Sequence, residues 1–433
     1  MKPILGLDIG TTTLSAVVLD SETKAIIASV TRPGPGFLPA PHSWERVQDA
    51  EAIALQSLAL VDEMSRAYGP FSAVGLTGQM HGVVPLDDAG RAVGPLYTWQ
   101  DGRGDLTEDG VSTAEALTRE LAMPVATGYG LATHVYNRRH GLHDDAASLA
   151  TIGAYVGMKL TRRKAPLLHA SDAASLGGYH ADTYAFDEKA IALAGGALPA
   201  STPRAEWLGE TRSCAPVAVS LGDNQASFLG TVDDPAHTLL VNIGTGSQVS
   251  VCVDTFAQNP AFDTRPFTEG RYLLVNSPLC GGRSYALLER FLRQCAALGG
   301  GDEGVPLYEV MNRLAMETDA GGLAVDTRFS GTRSDPARRG VITGLGEDNF
   351  TPAHFIRATL EGMARELFEG YEAMRPFLNE TPALLAASGN AVKHNPALQM
   401  ILRDMFGLPL SLSPWNEEAA RGAALFARNL LNT

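Results

Sequence analysis

The chain has 433 residues, 45% of them apolar and only 19% charged. At about 150 residues per domain this suggests two or three domains, and the balance argues for a packed core and against disorder. With 34 Lys and Arg against 48 Asp and Glu, the formal net charge of −14 argues against a general nucleic-acid or anionic-membrane surface. An anionic ligand held by backbone N–H groups and a metal stays open, because neither adds to the formal charge.

Cys214, Cys252, Cys280 and Cys295 form no C-x-x-C pair and no zinc spacing, so they read as buried thiols of a reducing compartment. Met1-Lys2-Pro3 leads straight into a strand pattern that contains Asp8, unlike a secretory leader. No apolar run approaches the ~18 residues of a membrane span. A soluble, cytoplasmic protein with no nucleic-acid or membrane partner is expected.

Along the chain, residues 5–20 read LGLDIGTTTLSAVVLD, an apolar strand, a Gly-Thr turn and a second strand, which is a hairpin pattern. Asp49 to Met64 has helical apolar spacing. Ala73 to Leu76 is a short buried strand, with the loop Thr77 to Gly82 leaving it. Val83 to Leu86 returns as a strand, residues 87–90 turn, and Trp99 to Arg103 follows a further short strand. Val217 to Ser220 is a strand delivering Gly222-Asp223-Asn224-Gln225.

A break is expected at residues 231–235, and residues 239–254 then read LLVNIGTGSQVSVCVD. Shifted by 234, Ile9-Gly10-Thr11 falls on Ile243-Gly244-Thr245, Thr13 on Ser247 and Val17 on Val251. Two related α/β halves follow from this echo. In the second half, Ala353 to Arg375 reads as a long helix, Leu384 to Ala387 as a strand and Ser388-Gly389-Asn390 as a turn. Asn395 is expected to cap a helix from Pro396 to Gly407, and Asn416 to cap a final helix.

Four groups could carry chemistry. The paired Gly-Thr turns offer hydroxyls and close backbone approach to a triphosphate, through Thr11, Thr12 and Thr13 on one and Gly244, Thr245 and Ser247 on the other. Taken singly, either turn is equally an ordinary hairpin. Asp8 stands where a carboxylate could hold Mg²⁺ directly or through water. Asp223 is either a helix N-cap or a general base toward an attacking hydroxyl, and one carboxylate can be both.

Gln79, Met80 and His81, with Trp99, Gln100, Asp101 and Arg103, combine hydrogen-bonding groups with flat apolar faces, as a polyol site needs. The other reading is a surface loop with an Asp101–Arg103 ion pair. Ser388, Gly389 and Asn390, before the capped helix, make either a platform for a flat base or a plain strand-turn-helix.

This order of motifs resembles the actin-like ATPase superfamily, and within it the FGGY carbohydrate kinases, over essentially the whole chain. GQMHGVV, TWQDGR and SGNAVKHNP are similar to the sedoheptulokinase branch, and GQMHG also to the sugar loop of xylulokinases. The resemblance implies two ribonuclease-H-like α/β domains flanking a catalytic cleft, residues 1–233 for sugar and 234–433 for nucleotide. It implies ATP and Mg²⁺ and a kinase acting on the terminal primary hydroxyl of a ketose, sedoheptulose before D-xylulose. Asp223 is then the catalytic base and Asp8 serves the metal. Gln79, Met80, His81, Trp99, Gln100, Asp101, Arg103, Asp223 and Asn224 face the sugar. Thr11, Thr12, Thr13, Gly244 and Thr245 face phosphates, while Ser388, Gly389, Asn390 and Asn395 face adenine or ribose.

A small-molecule sugar is the expected partner, and the reading allows a homodimer. The segment Ser388-Gly389-Asn390 departs from the glycine run many members carry, and 433 residues is short for the family. A different class, a nucleotide-driven binding machine or filament former, would explain the paired turns equally well but needs no polyol loops.

Overall fold

The computed structural model describes residues 2–268, 270–302, 304–332, 335 and 337–431. By internal contacts the chain divides into two compact units. The first comprises residues 1–230, 265–271 and 415–433, and the second residues 231–264 and 272–414.

Among the described residues of the first unit, the central sheet runs Trp207–Glu210, Pro216–Ala218, Ala73–Gly78, Ile4–Ile9, Thr13–Leu19 and Ile26–Pro33, with Leu221–Gly222 also on Ala73–Gly78. Ile4–Ile9 and Thr13–Leu19 form the expected antiparallel hairpin, Ile9 opposite Leu14. Ile4–Ile9 also pairs in parallel with Ala73–Gly78, which sets Asp8 beside Thr77. Its unbroken apolar run suits a strand covered on both faces. The helix Ala50–Tyr68 is capped by Asp49, whose side chain accepts the Ala52 N–H at 2.9 Å.

The final helix, Glu418–Leu430, packs on this sheet by backbone contact. A Cβ on Gly6 would lie 1.9 Å from the Ala420 carbonyl oxygen, and one on Gly75 equally close to that of Ala423. Only glycine permits such an approach. Residues 415–431 therefore belong with the first sheet, whereas the sequence grouped 234–433 as one half. The helix is also capped differently from expectation. Its N-cap position is Glu417, not Asn416, and the Glu417 carboxylate accepts the Thr31 hydroxyl at 2.6 Å.

In the second unit the sheet order is Tyr272–Asn276, Ser247–Val253, Thr238–Ile243, Leu384–Ser388 and Leu410–Leu412. Ile243 faces Ser247 in the second hairpin, and Asn242 pairs in parallel with Ser388. The long helix spans Pro352–Met374. Asn395 caps Pro396–Phe406 by accepting the Leu398 N–H at 3.0 Å, and Gly407 ends it with φ 64°. Cys252 and Cys280 are buried as expected, but Cys214 and Cys295 are exposed. No helix among the described residues is long and apolar enough to cross a membrane.

Candidate active site

In the first unit, Asp8 lies on a strand that ends at the Gly10–Thr12 turn, and Asp223 starts the helix Asp223–Thr231. Asp223 thus opens the helix instead of preceding it. Both carboxyls are only partly open to solvent. Burial, then the nearby Asp223 and Glu417 charges, push the Asp8 carboxyl up to about 7. Burial also raises Asp223, and bonds from Asn224 and the charge of Arg265 partly offset that rise.

Asn224 is the link between them. Its amide nitrogen donates to Asp223 Oδ1 at 3.3 Å, while its carbonyl oxygen accepts Arg265 Nη1 at 2.7 Å. Asp8 thus feels the charges of two other acids, Asp223 and Glu417, a field that a divalent cation would relieve. No group of three metal-binding side chains forms a full ligand set among the described residues.

The polyol loop is joined to the first turn by side chains. Trp99 Nε1 donates to the Thr11 hydroxyl at 3.1 Å, and that hydroxyl donates to Gln79 Oε1 at 3.3 Å. Gln79 Nε2 donates to Gln48 Oε1 at 2.9 Å, and Gln48 Nε2 returns to the Thr11 carbonyl at 2.8 Å. Trp99 keeps 47% of its surface exposed, leaving its indole face available. Gln100, Thr12 and Thr13 are exposed too. Met80 is buried with its sulfur 2.9 Å from where a Gly222 Cβ would stand, next to Asp223 in sequence.

His81 adopts a left-handed φ of 70°, unusual for a residue with a Cβ. The conformation is held from outside. The His81 N–H donates to Ser175 Oγ at 3.1 Å, and the His81 ring bonds the Ser175 carbonyl through Nδ1 at 2.8 Å. The ring also stacks on Tyr129, centroids 4.5 Å apart.

Asp101 and Arg103 correct the sequence expectation. Asp101 has no exposed surface and Arg103 3%. Asp101 accepts Arg103 Nε at 2.5 Å and Nη2 at 3.2 Å, and also the Arg46 N–H at 3.0 Å. Arg103 reaches Asn137 Oδ1 at 2.5 Å and lies over the Tyr97 ring at 4.1 Å. The pair is saturated inside the protein and braces the Trp99 loop, on which Trp99 and Gln100 stay exposed.

In the second unit the turn is braced by backbone. The N–H groups of Gly282 and Arg283 donate to the Gly244 and Thr245 carbonyls at 2.9 and 3.0 Å, so the helix Gly282–Leu298 starts against the turn. Thr245 is exposed. Gly389, with φ 93°, brings the third strand into the short helix Asn390–Lys393, so the expected turn is tighter than a loop. Gly389 is half-buried and Asn390 exposed, as a ligand platform requires, whereas Ser388 is buried and accepts Asn242 Nδ2 at 2.8 Å. Asn395 is likewise buried, its side chain spent on the helix cap and on Tyr285. Both side chains are thus engaged within the protein.

Sequence reasoning missed Tyr129, Arg265, Glu417 and the Gly282–Arg283 brace. Each reaches the site from a distant segment without a local motif, although Glu417 was visible as an acid at a helix start.

Residues 3–239 match the FGGY family of carbohydrate kinases, N-terminal domain, and residues 239–428 its C-terminal domain. Mouse (Mus musculus) sedoheptulokinase is 27% identical, aligned over 98% of this chain and 97% of that one. Klebsiella pneumoniae xylulose kinase is 24% identical over 98% and 89%. Among solved structures, ligand-bound xylulose kinase from Lactobacillus acidophilus superposes with a TM-score of 0.83 at 19% identity, covering 100% of this chain and 90% of that one. The two α/β units thus have the actin-like ATPase fold, and the chain belongs to the FGGY family of carbohydrate kinases.

Proposed function

We propose that the protein is an ATP-dependent ketose kinase that phosphorylates the terminal primary hydroxyl of its sugar, with sedoheptulose the first candidate and D-xylulose the second. The sugar binds in the first unit and ATP mainly in the second. The observation that carries this reading is the Asp223 carboxylate, oriented by Asn224 and Arg265 and flanked at Gly222 by Met80 of the polyol loop. Mouse and human sedoheptulokinases, each 27% identical along almost the whole chain, support the seven-carbon ketose, and the Klebsiella pneumoniae xylulose kinase supports the five-carbon one.

In this reading Gln79, His81 and Gln100 bind the sugar hydroxyls, and Trp99 and Met80 cover its C–H edge. Asp223 accepts the proton of the attacking hydroxyl as its oxygen bonds to the γ-phosphorus and the bond to ADP breaks. Thr11, Thr12, Thr13, Gly244 and Thr245 bind the phosphates, and Gly389 and Asn390 the adenosine. Asp8 would hold Mg²⁺, whose charge offsets that of the phosphate oxygens when bound.

The test is Mg-ATP with a panel of ketoses and polyols, read by ADP release. The reading expects release that depends on a ketose, fastest with sedoheptulose. ADP release at the same rate without any sugar would replace it with the nucleotide-driven machine.

A further inference from the structure

Asp172 is a buried carboxyl that the proposed mechanism does not use. It sits on the helix Ala170–Leu176 with 2% of its surface exposed. Thr151, the cap of the helix Ile152–Thr161, donates its hydroxyl to Asp172 Oδ2 at 3.2 Å. The Ser220 hydroxyl, just before the short strand Leu221–Gly222 that leads to Asp223, lies near the same carboxyl but makes no hydrogen bond of ordinary geometry. Both neighbours are hydroxyls, and no ion pair includes Asp172 among the described residues.

The helix itself spans the sugar site. Ser171 Oγ accepts the Gly222 N–H at 2.9 Å, one residue before Asp223. Ser175 Oγ accepts the His81 N–H and donates to the Asp172 carbonyl at 2.7 Å. One short helix thus holds the backbone that delivers the base and the loop that carries His81.

Resting on the reading of Asp223 as base, we propose that Asp172 is a positioning residue for Asp223: its bond from the Thr151 hydroxyl anchors this helix between the base and the sugar loop. Two neighbouring buried carboxyls resist carrying charge together, and the one with better support ionises. Asp223 has the bond from Asn224 and the charge of Arg265; Asp172 has the bond from Thr151. The other titratable groups here agree. His169, before the helix, is kept neutral by burial, which lowers it to about 4, and Asp8 lies beyond Asp223. Burial first, and then Asp223, push Asp172 up to about 7 despite the Thr151 bond.

The sign follows from linkage. A carboxyl whose folded value is raised from 3.8 to about 7 binds its proton more tightly when folded. Stability from this group is present below the unfolded value and is lost as pH rises toward the folded one. Thermal unfolding of the full-length wild type and Asp172→Asn is therefore compared from pH 4 to pH 8, with ADP release measured for Asp172→Asn and Asp172→Ala.

The Tm of Asp172→Asn should gain on the wild type from pH 4 to about pH 7 and level off above it. Asp172→Ala should lose about tenfold to a hundredfold in kcat, the cost of a displaced catalytic group, and Asp172→Asn should recover most of it. If Asp172→Ala does not fold, the Asn variant still decides. Parallel Tm curves, or an Asn variant as slow as the Ala variant, overturn the proposal. Normal turnover by Asp223→Ala would instead sink the base assignment, whereas an inactive Asp223→Ala with parallel Tm curves sinks the Asp172 proposal alone.

Discussion

The two hairpins share a backbone and differ in chemistry. In each, a buried strand runs to a Gly-Thr turn, returns antiparallel, and pairs in parallel with a third strand. That third strand ends in glycine both times: a Cβ on Gly78 would lie 2.9 Å from the Ile9 carbonyl oxygen, and one on Gly389 would lie 2.5 Å from that of Ile243. The equivalent of Asp8, 234 residues on, is Asn242. Asp8 faces Asp223 and Glu417 and is pushed toward neutrality, whereas Asn242 donates quietly to Ser388. The first turn is tied to its surroundings through side chains of Thr11, Gln79 and Trp99, the second through backbone N–H groups of residues 282–283.

That contrast can be broken most severely at the carboxylate with no counterpart in the second unit. Asp223→Ala should lower kcat by about 10² to 10⁴-fold, the usual contribution of a positioned base, with Mg-ATP affinity little changed. Turnover near the wild-type rate would remove Asp223 from the chemistry. Asp8→Asn gives the first turn the amide of the second. It should raise the Mg²⁺ concentration needed for half-maximal turnover by roughly tenfold to a hundredfold, and an unchanged Mg²⁺ titration would show that Asp8 holds no metal.

The glycine pair sharpens the comparison. Gly389→Ala meets both a close carbonyl and a left-handed φ, so chemical denaturation should show a loss of about 1–3 kcal/mol. Gly78→Ala, without the positive φ, should lose less, and the reverse order would contradict the geometry. Asn242→Asp, the mirror of Asp8→Asn, replaces the amide donor to Ser388 and should cost about 1 kcal/mol in the same measurement.

Local patterns carried much of this structure into the sequence. The repeated IGT turns, the Asp49 cap, and the Asn395–Pro396–Gly407 frame all act within a few residues, so composition and spacing suffice to find them. Asp101 and Arg103 show where that stops. Their spacing suited a polar loop, but what decides their role is burial under Tyr97 and beside Asn137, which lies 34 residues from Arg103. Arg265 reaches Asn224 across 41 residues, and Ser175 reaches His81 across 94. Such partners have no period or motif, because the sheet brings them together only once it has formed. Asn416 failed as a cap for a similar reason: the chain enters the final helix one residue later, where Glu417 meets Thr31.

The docking of Glu418–Leu430 onto Gly6 and Gly75 bears on how the chain is made. Domains generally fold as units during synthesis. Here the opening strands leave the ribosome more than four hundred residues ahead of the helix that covers their glycine face, as the numbering of Gly6 and Ala420 shows. The intervening stretch 272–414 can assemble meanwhile, so the earliest-born sheet is the last to be sealed.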